Sequence, residues 1–481
     1  MDTNYSDNDI EKGNQINELK ELTEEEALIM KSSLKKRDLH ILPIIILLYI
    51  AALMDRSNIG SALVNGLVSG LKLNKTQEGN VTSMFYVFYI LFETPSNILL
   101  KKVSPHVWFA FIGVAWSVCC IILGIVKNGT AFVIVRCFMG VFEAGFTPGV
   151  VGYLAYWYTR SEIGYRMAIF FSAVPISGII GAPLAGLFAS IKLGSLLPFQ
   201  NIFILEGALT FVLCCAAFFI IKDYPDQAKF FTKDEYDLTV SRIRADQGLA
   251  SKTKVSLSIT LRTIADWKLW VFSILFLGYN NAYIVLGIFS PTLIKSFGYN
   301  NLTSTYLAVI PNACGLFGVM TVLLLLNKRN YISLMIIFAA ITIASYSAAV
   351  FYRNKTSSLI FLGIAGFGAM GNIPLSLAWM SINQGGIYKG MIASALVVSI
   401  GSISGVGSPK TFTSNFSTKY TLGNSIYIGG VAFSTILVVL LGIYFNSENK
   451  RRDQNPEDVS HLSEDEQRAM NDKHPKFRYI L

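Results

Sequence analysis

The stretch "KDYPDQAKFFTKDEYD" (222–237) decides how the chain is read. It is polar and charged, and it opens a polar segment over 223–266 that interrupts an otherwise apolar sequence. Working outward from it, six apolar runs lie on either side. Hydropathy places them at 40–62, 77–99, 105–126, 130–152, 165–190 and 202–222 before the interruption. After it they fall at 267–289, 302–326, 331–352, 358–380, 389–411 and 425–446. A run of about 20 apolar residues crosses a bilayer core of roughly 30 Å as a helix. The expectation is therefore an all-α membrane protein of twelve transmembrane helices in two six-helix bundles. The segments are a polar tail (1–39), a first bundle (40–222), the middle loop (223–266), a second bundle (267–446) and a C-terminal tail (447–481).

Composition agrees. Of 481 residues 52% are hydrophobic and 15% charged, against about 25% charged in an ordinary soluble domain; mean hydropathy is +0.49. The net charge of +9 does not argue for nucleic acid, because the bases crowd the connecting segments and no basic–aromatic platform accompanies them. Lys31, Lys35, Lys36 and Arg37 precede the first run. Lys101, Lys102, Arg160, Arg166, Lys328, Arg329 and Lys389 lie on the same side, and the middle loop adds Arg242, Arg244 and Arg262. The opposite connections are poorer in bases, so the positive-inside rule places both termini and the middle loop in the cytoplasm. Asn-x-Ser/Thr triplets at Asn74, Asn80, Asn128, Asn301, Asn354 and Asn415 all fall on the outward side. The six cysteines sit in apolar runs with no metal-ligand or disulfide spacing. No metal, cofactor or enzymatic constellation is expected. "GVGSPKT" (405–411) lacks the Gly-Lys step of a phosphate-binding loop.

Charges within spans are costly and mark ion or substrate routes. Here they cluster in the first half: Asp55 and Arg56 in "ALMDRSNIG" (52–60), Glu93, Arg136 and Glu143 in "RCFMGVFEAG" (136–145), and Glu206. Arg136 and Glu143 are seven residues apart, on one helical face and about 10.5 Å apart along the axis. They are too far apart to pair, and each is available to another helix. Asp55 and Arg56 point about 100° apart. The expected arrangement pairs Asp55 with Arg136 and leaves Arg56 for a ligand carboxylate, which a guanidinium fork grips with two hydrogen bonds. Glu143, deep in an apolar helix, is the candidate proton carrier. Static ion bridges that only lock helices are the alternative. In the second half, "GYNNAY" (278–283) offers Asn280 and Tyr283. "GFGAMGNIPLSLAW" (366–379) places Asn372 in a helix interrupted by Gly and Pro, as in carriers whose backbone opens to a cavity.

Several stretches resemble one family: "MDRSNIGSALVNGL" (54–67), "YVFYILFETPSNILLKKVSP" (86–105), "RCFMGVFEAGFTPGVVGYLAYWYTRSEIGYRMAIFFS" (136–172), and, in the second half, "DWKLWVFSILFLGYNNAYIVLGIFSPTLIKSFGYNN" (266–301). They are similar to the anion:cation symporters of the major facilitator superfamily, in particular the fungal allantoate, nicotinate and pantothenate permease branch. The tail "HPKFRYIL" (474–481) is similar to the ends of nicotinate-permease-like members. The resemblance implies symport of a small organic anion with protons. A monomer in the plasma membrane is expected, with the vacuolar or another organelle membrane as the alternative. It gives Arg56 the substrate carboxylate, makes Asp55 and Glu143 proton-coupling groups, and makes Arg136 their charge partner. An uncoupled facilitator, an exchanger and a nutrient sensor are the alternatives. The chain departs from the superfamily in lacking acids in "NILLKKVSPHVW" (97–108) and "LLNKRNYI" (325–332), so a latch between halves built on those acids is not expected.

Overall fold

The computed structural model describes residues 23–100, 103–225, 228, 230–251, 257–325, 330–352, 354–384, 387–413, 420–455, 459 and 470–481. Twelve long helices cross the molecule. In the first half these are α1 (Glu24–Val64), α2 (Lys75–Leu100), α3 (Pro105–Ile125), α4 (Gly129–Leu154), α5 (Glu162–Ser190) and α6 (Pro198–Ile220). In the second half they are α7 (Trp267–Ser296), α8 (Asn301–Leu325), α9 (Tyr331–Phe351), α10 (Lys355–Ile382), α11 (Ile392–Thr411) and α12 (Thr421–Gln454). All but α2 are long and apolar enough on their own to span a membrane. The α2 helix carries Glu78, Asn80, Thr82, Ser83 and Glu93 and is held as the second helix of the set by α4. Side chains such as Phe111, Phe138, Val212, Phe219, Phe317, Leu324 and Ile443 point outward, the surface a bilayer requires.

The helix ends follow local chemistry. The α1 helix starts well before its apolar run because Thr23 and Glu26 form a reciprocal capping box. Asn128 and Asn354, both in Asn-x-Thr triplets, spend their side-chain oxygens capping α4 and α10. The α4 helix is interrupted directly after Glu143, at Ala144 and Gly145, within "EAGFTPG". All six cysteines are free thiols.

Each half is braced by ions on the face that carries both termini. In the first half, Arg37 of α1 donates to Glu162 at 3.2 Å and to the Trp157 carbonyl at 2.6 Å, and Arg166 pairs with Asp38 at 2.8 Å. The middle segment is not a bare loop. Its helix Lys233–Ser251 docks on α1 through Lys36–Glu235 at 2.7 Å and Ser33–Thr239 at 2.6 Å. In the second half the C-terminal segment straps across the ends of α7, α10, α11 and α12. Asp472 accepts from Lys268 and Lys389, both at 2.6 Å. Trp379 donates to the Ile480 carbonyl at 2.8 Å, and Tyr479 stacks on Phe445 at 4.2 Å.

On the opposite face the halves close on each other. The α1 and α7 backbones touch where Gly60 meets the Ile288 carbonyl, a place any Cβ would fill. Asn65 donates to Thr305 at 2.8 Å, and Ser83 of α2 donates to the Val406 carbonyl of α11 at 2.7 Å.

Candidate functional site

The site lies where α1, α2 and α4 face α7, beneath that closure. Its centre is Arg56. The guanidinium donates from Nε at 2.9 Å and from Nη2 at 2.5 Å to one oxygen of Glu143, Oε1. Glu143 is 1% exposed, and the Arg56 side chain 19%. The other Glu143 oxygen finds no hydrogen-bond partner among the described residues. Beside this pair α4 and α2 approach each other at the backbone. Gly140, one turn before Glu143, lies so close to the Phe85 carbonyl of α2 that a Cβ would overlap it.

Rings surround the guanidinium. Its carbon lies 4.8 Å from the Tyr89 centroid, 5.3 Å from Phe85 and 6.0 Å from Tyr86. Tyr49 of α1 and Tyr283 of α7 both interact electrostatically with Arg56. Phe85 is shared, because Arg136 lies over it at 5.1 Å. Cations over such faces gain electrostatic attraction without losing their hydrogen-bonding edge. The result is a buried fork, lined by π-faces, held by one acid.

The expected pairing of Asp55 with Arg136 is not the one found. Asp55 faces the other way, accepting from Trp116 Nε1 at 3.2 Å and Cys120 Sγ at 3.5 Å on α3, with Thr210 of α6 beside it. Arg136 donates to the Val81 carbonyl at 2.9 Å and to Met139 Sδ at 3.4 Å. Its Nη2 finds no hydrogen-bond partner among the described residues. Arg56 is likewise not an unoccupied fork; Glu143 holds it. The physical reason is rotation. Asp55 and Arg56 leave α1 in directions about 100° apart, and α1 turns Arg56 toward α2 and α4 and Asp55 toward α3 and α6.

Of the second-half candidates, Tyr283 reaches the Arg56 cluster. Asn280 binds across to α11, donating to the Gly401 carbonyl at 3.0 Å. Asn372 is buried at 1% with neither amide atom hydrogen-bonded among the described residues. Glu93 of α2 contacts Ser399 of α11 and interacts electrostatically with Arg56, so it links the halves. The tyrosine lining was not singled out in the sequence. Its signal was present, however: Phe85, Tyr86, Tyr89 and Glu93 follow helical spacing along one face of α2.

The Major Facilitator Superfamily model matches residues 45–409. The chain belongs to this superfamily. The major facilitator-type transporter hxnP of Emericella nidulans is 30% identical over 94% of this chain and 93% of its own length. A putative tartrate transporter of Agrobacterium vitis is 34% identical over 60% of this chain and 66% of its own. Among solved structures, a D-xylose–proton symporter superposes with a TM-score of 0.61 at 12% identity, covering 81% of this chain and 96% of that one. This superfamily member is thus a multi-pass membrane transporter of the major facilitator fold and not an enzyme.

Proposed function

We propose that this transporter carries a small organic monocarboxylate across the plasma membrane together with protons, as a monomer working by alternating access. The observation that supports this reading is the buried Arg56–Glu143 pair. A ligand carboxylate and the Glu143 carboxylate compete for one guanidinium fork. Protonating Glu143 removes its charge and yields Arg56 to the anion, so proton and anion bind together. When both leave, the pair re-forms. Arg56 with neither partner would be a buried, uncompensated cation, which is disfavoured; the empty carrier therefore turns with Glu143 ionised and the loaded one with Glu143 protonated. Arg136, close enough to interact electrostatically with Glu143, tunes that exchange. Asp55 is a further proton-coupling group on the far side of α1.

The cargo class follows from the lining. A planar aromatic acid such as nicotinate suits Phe85, Tyr86, Tyr89 and Tyr283, with its carboxylate on Arg56. Asn280 and Asn372 would supply polar contacts from the second half as it closes. A relative named as a putative tartrate transporter is in keeping with a carboxylate cargo.

The test is uptake of labelled nicotinate, alongside a panel of other vitamin-type and nitrogen-containing acids, by yeast lacking its own carriers for them. Uptake that rises as external pH falls and collapses with a protonophore supports the reading. Uptake indifferent to the protonophore would point to a facilitator or exchanger of the same fold.

A further inference from the structure

The mechanism above leaves one deeply buried acid unused. Glu206, in "FILEGAL" of α6, is 1% exposed. Neither of its carboxylate oxygens has a hydrogen-bond partner among the described residues. Asn58 of α1, 2% exposed, is the side chain placed to donate to it, although no bond of full geometry is closed. The charge that acts on Glu206 is another acid, Asp55, itself fully buried.

The groups on every packed neighbour bear this out. The α6 helix packs on α1, α3 and α5. From α1 come Asp55 and Asn58. From α3 comes Cys120, which interacts with both Asp55 and Glu206. The α5 helix carries no titratable side chain over 173–190. From α4, beyond α3, Glu143 acts on Asp55 and Arg136 acts on Cys120. Three buried carboxyls, Asp55, Glu143 and Glu206, thus stand with two guanidiniums. Arg56 is committed to Glu143, and Arg136 to the Val81 carbonyl. Neither guanidinium hydrogen-bonds Asp55 or Glu206 among the described residues. An unpaired buried carboxylate beside a second one is among the costliest arrangements a protein can hold, and two carboxyls in one site that share a proton are the ordinary solution.

We propose that Glu206 and Asp55 form a second proton-binding site, two electrostatically coupled buried carboxyls that together hold one proton behind α1, separate from the Arg56–Glu143 pair. A proton taken up from water protonates one carboxylate of the pair and leaves it by the same bond breaking, with no other reactant. Asp55 sits next to Arg56 in the chain, so a shift of α1 that moves one moves the other. That joins the pair to the anion site, a role that rests on the proton-coupled reading above.

The test reads the proton itself. Infrared difference spectra of the full-length transporter in lipid, stepped from alkaline to acidic buffer, report the carbonyl stretch of each buried carboxylic acid. The expected result is one band absent in Glu206→Gln, with a midpoint displaced by about one pH unit or more in Asp55→Asn, the interaction that marks a coupled pair. Glu206→Asp keeps a carboxyl, so its shifted band preserves the test should Glu206→Gln fail to fold. Spectra unchanged by Glu206→Gln or Glu206→Asp, or a Glu206 band indifferent to Asp55→Asn, would overturn the proposal. No cargo enters this measurement. A shared band in a protein that shows no proton-driven uptake keeps the pair and removes the coupling.

Discussion

In the proposed mechanism Arg56 works by being contested. Its Nε and Nη2 both reach one Glu143 oxygen, a two-pronged grip that a lysine ammonium cannot copy. Arg56→Lys is expected to keep the charge and the fold while raising KM for the carboxylate about tenfold or more, on the scale of one lost charge-assisted hydrogen bond of about 1.5–3 kcal/mol. Initial-rate uptake with surface expression measured in parallel checks it; unchanged KM would remove Arg56 from the binding site. That Arg56, Asp55, Arg136 and Glu143 stand out was legible, since they are rare charges in apolar runs. Which acid meets which base was not. Spacing along a helix fixes the angle between Asp55 and Arg56, but the rotation of α1 against its neighbours is set by contacts such as Gly181 of α5 on Met54 and Gly60 on Ile288, which no single segment encodes.

The elements on the terminus-bearing face act as clasps. The middle-loop helix is held to α1 by Glu235, which accepts from Lys36 and Ser32, both at 2.7 Å. Burial works to raise that carboxyl, but the hydrogen bonds from Lys36, Thr232 and Ser32 outweigh it and hold the group down at about 2, against an ordinary value of 4.5. A carboxyl depressed on docking contributes fully above its ordinary value and loses that contribution as pH falls through the depressed one. Docking is therefore expected to be constant from neutral pH to about 5 and to weaken toward pH 2. Glu235→Gln should be loosened at every pH. A spin label at the exposed Ser241→Cys, in a cysteine-free background, reads both. The C-terminal strap is tighter. Asp472 lies between Lys268 and Lys389 and is 1% exposed, and Arg452 Nη1 donates to the Asp472, His474 and Phe477 carbonyls. Asp472→Ala leaves two buried ammonium groups to share Asp266, so a loss of about 3 kcal/mol is expected, read as a lowered thermal midpoint of the purified protein. The spans were legible because apolar length is written in all of the segments but α2. The clasps were not, because polar tails and loops carry no periodicity, and much of their order comes from partners distant in sequence, as Lys389 is from Asp472.

At the scale of the whole molecule, the proposed alternating access requires the closed face to open and close again around Arg56. Contacts that close it here include Gly60 on Ile288, Asn65 on Thr305 and Ser83 on Val406. The first is backbone against backbone, so there a side chain of any kind prevents approach. The other two are single hydrogen bonds worth about 1 kcal/mol each, easily broken as the halves rock. Gly60→Val should therefore bias the population toward the state open on this face without unfolding either half, since each half keeps its own core and its own ion clasps. Ser61→Cys, buried beside Gly60 at 6% exposure, is the reporter. A membrane-impermeant thiol reagent applied to that face should label it about tenfold faster when Gly60→Val is added, equivalent to about 1.4 kcal/mol of population shift. Net uptake should fall by a similar factor, because a carrier that cannot close cannot deliver. Equal labelling rates with and without Gly60→Val would mean that the α1–α7 contact is not the gate, and would move that role to α2 and α11, where Ser83 and Glu93 already join the halves.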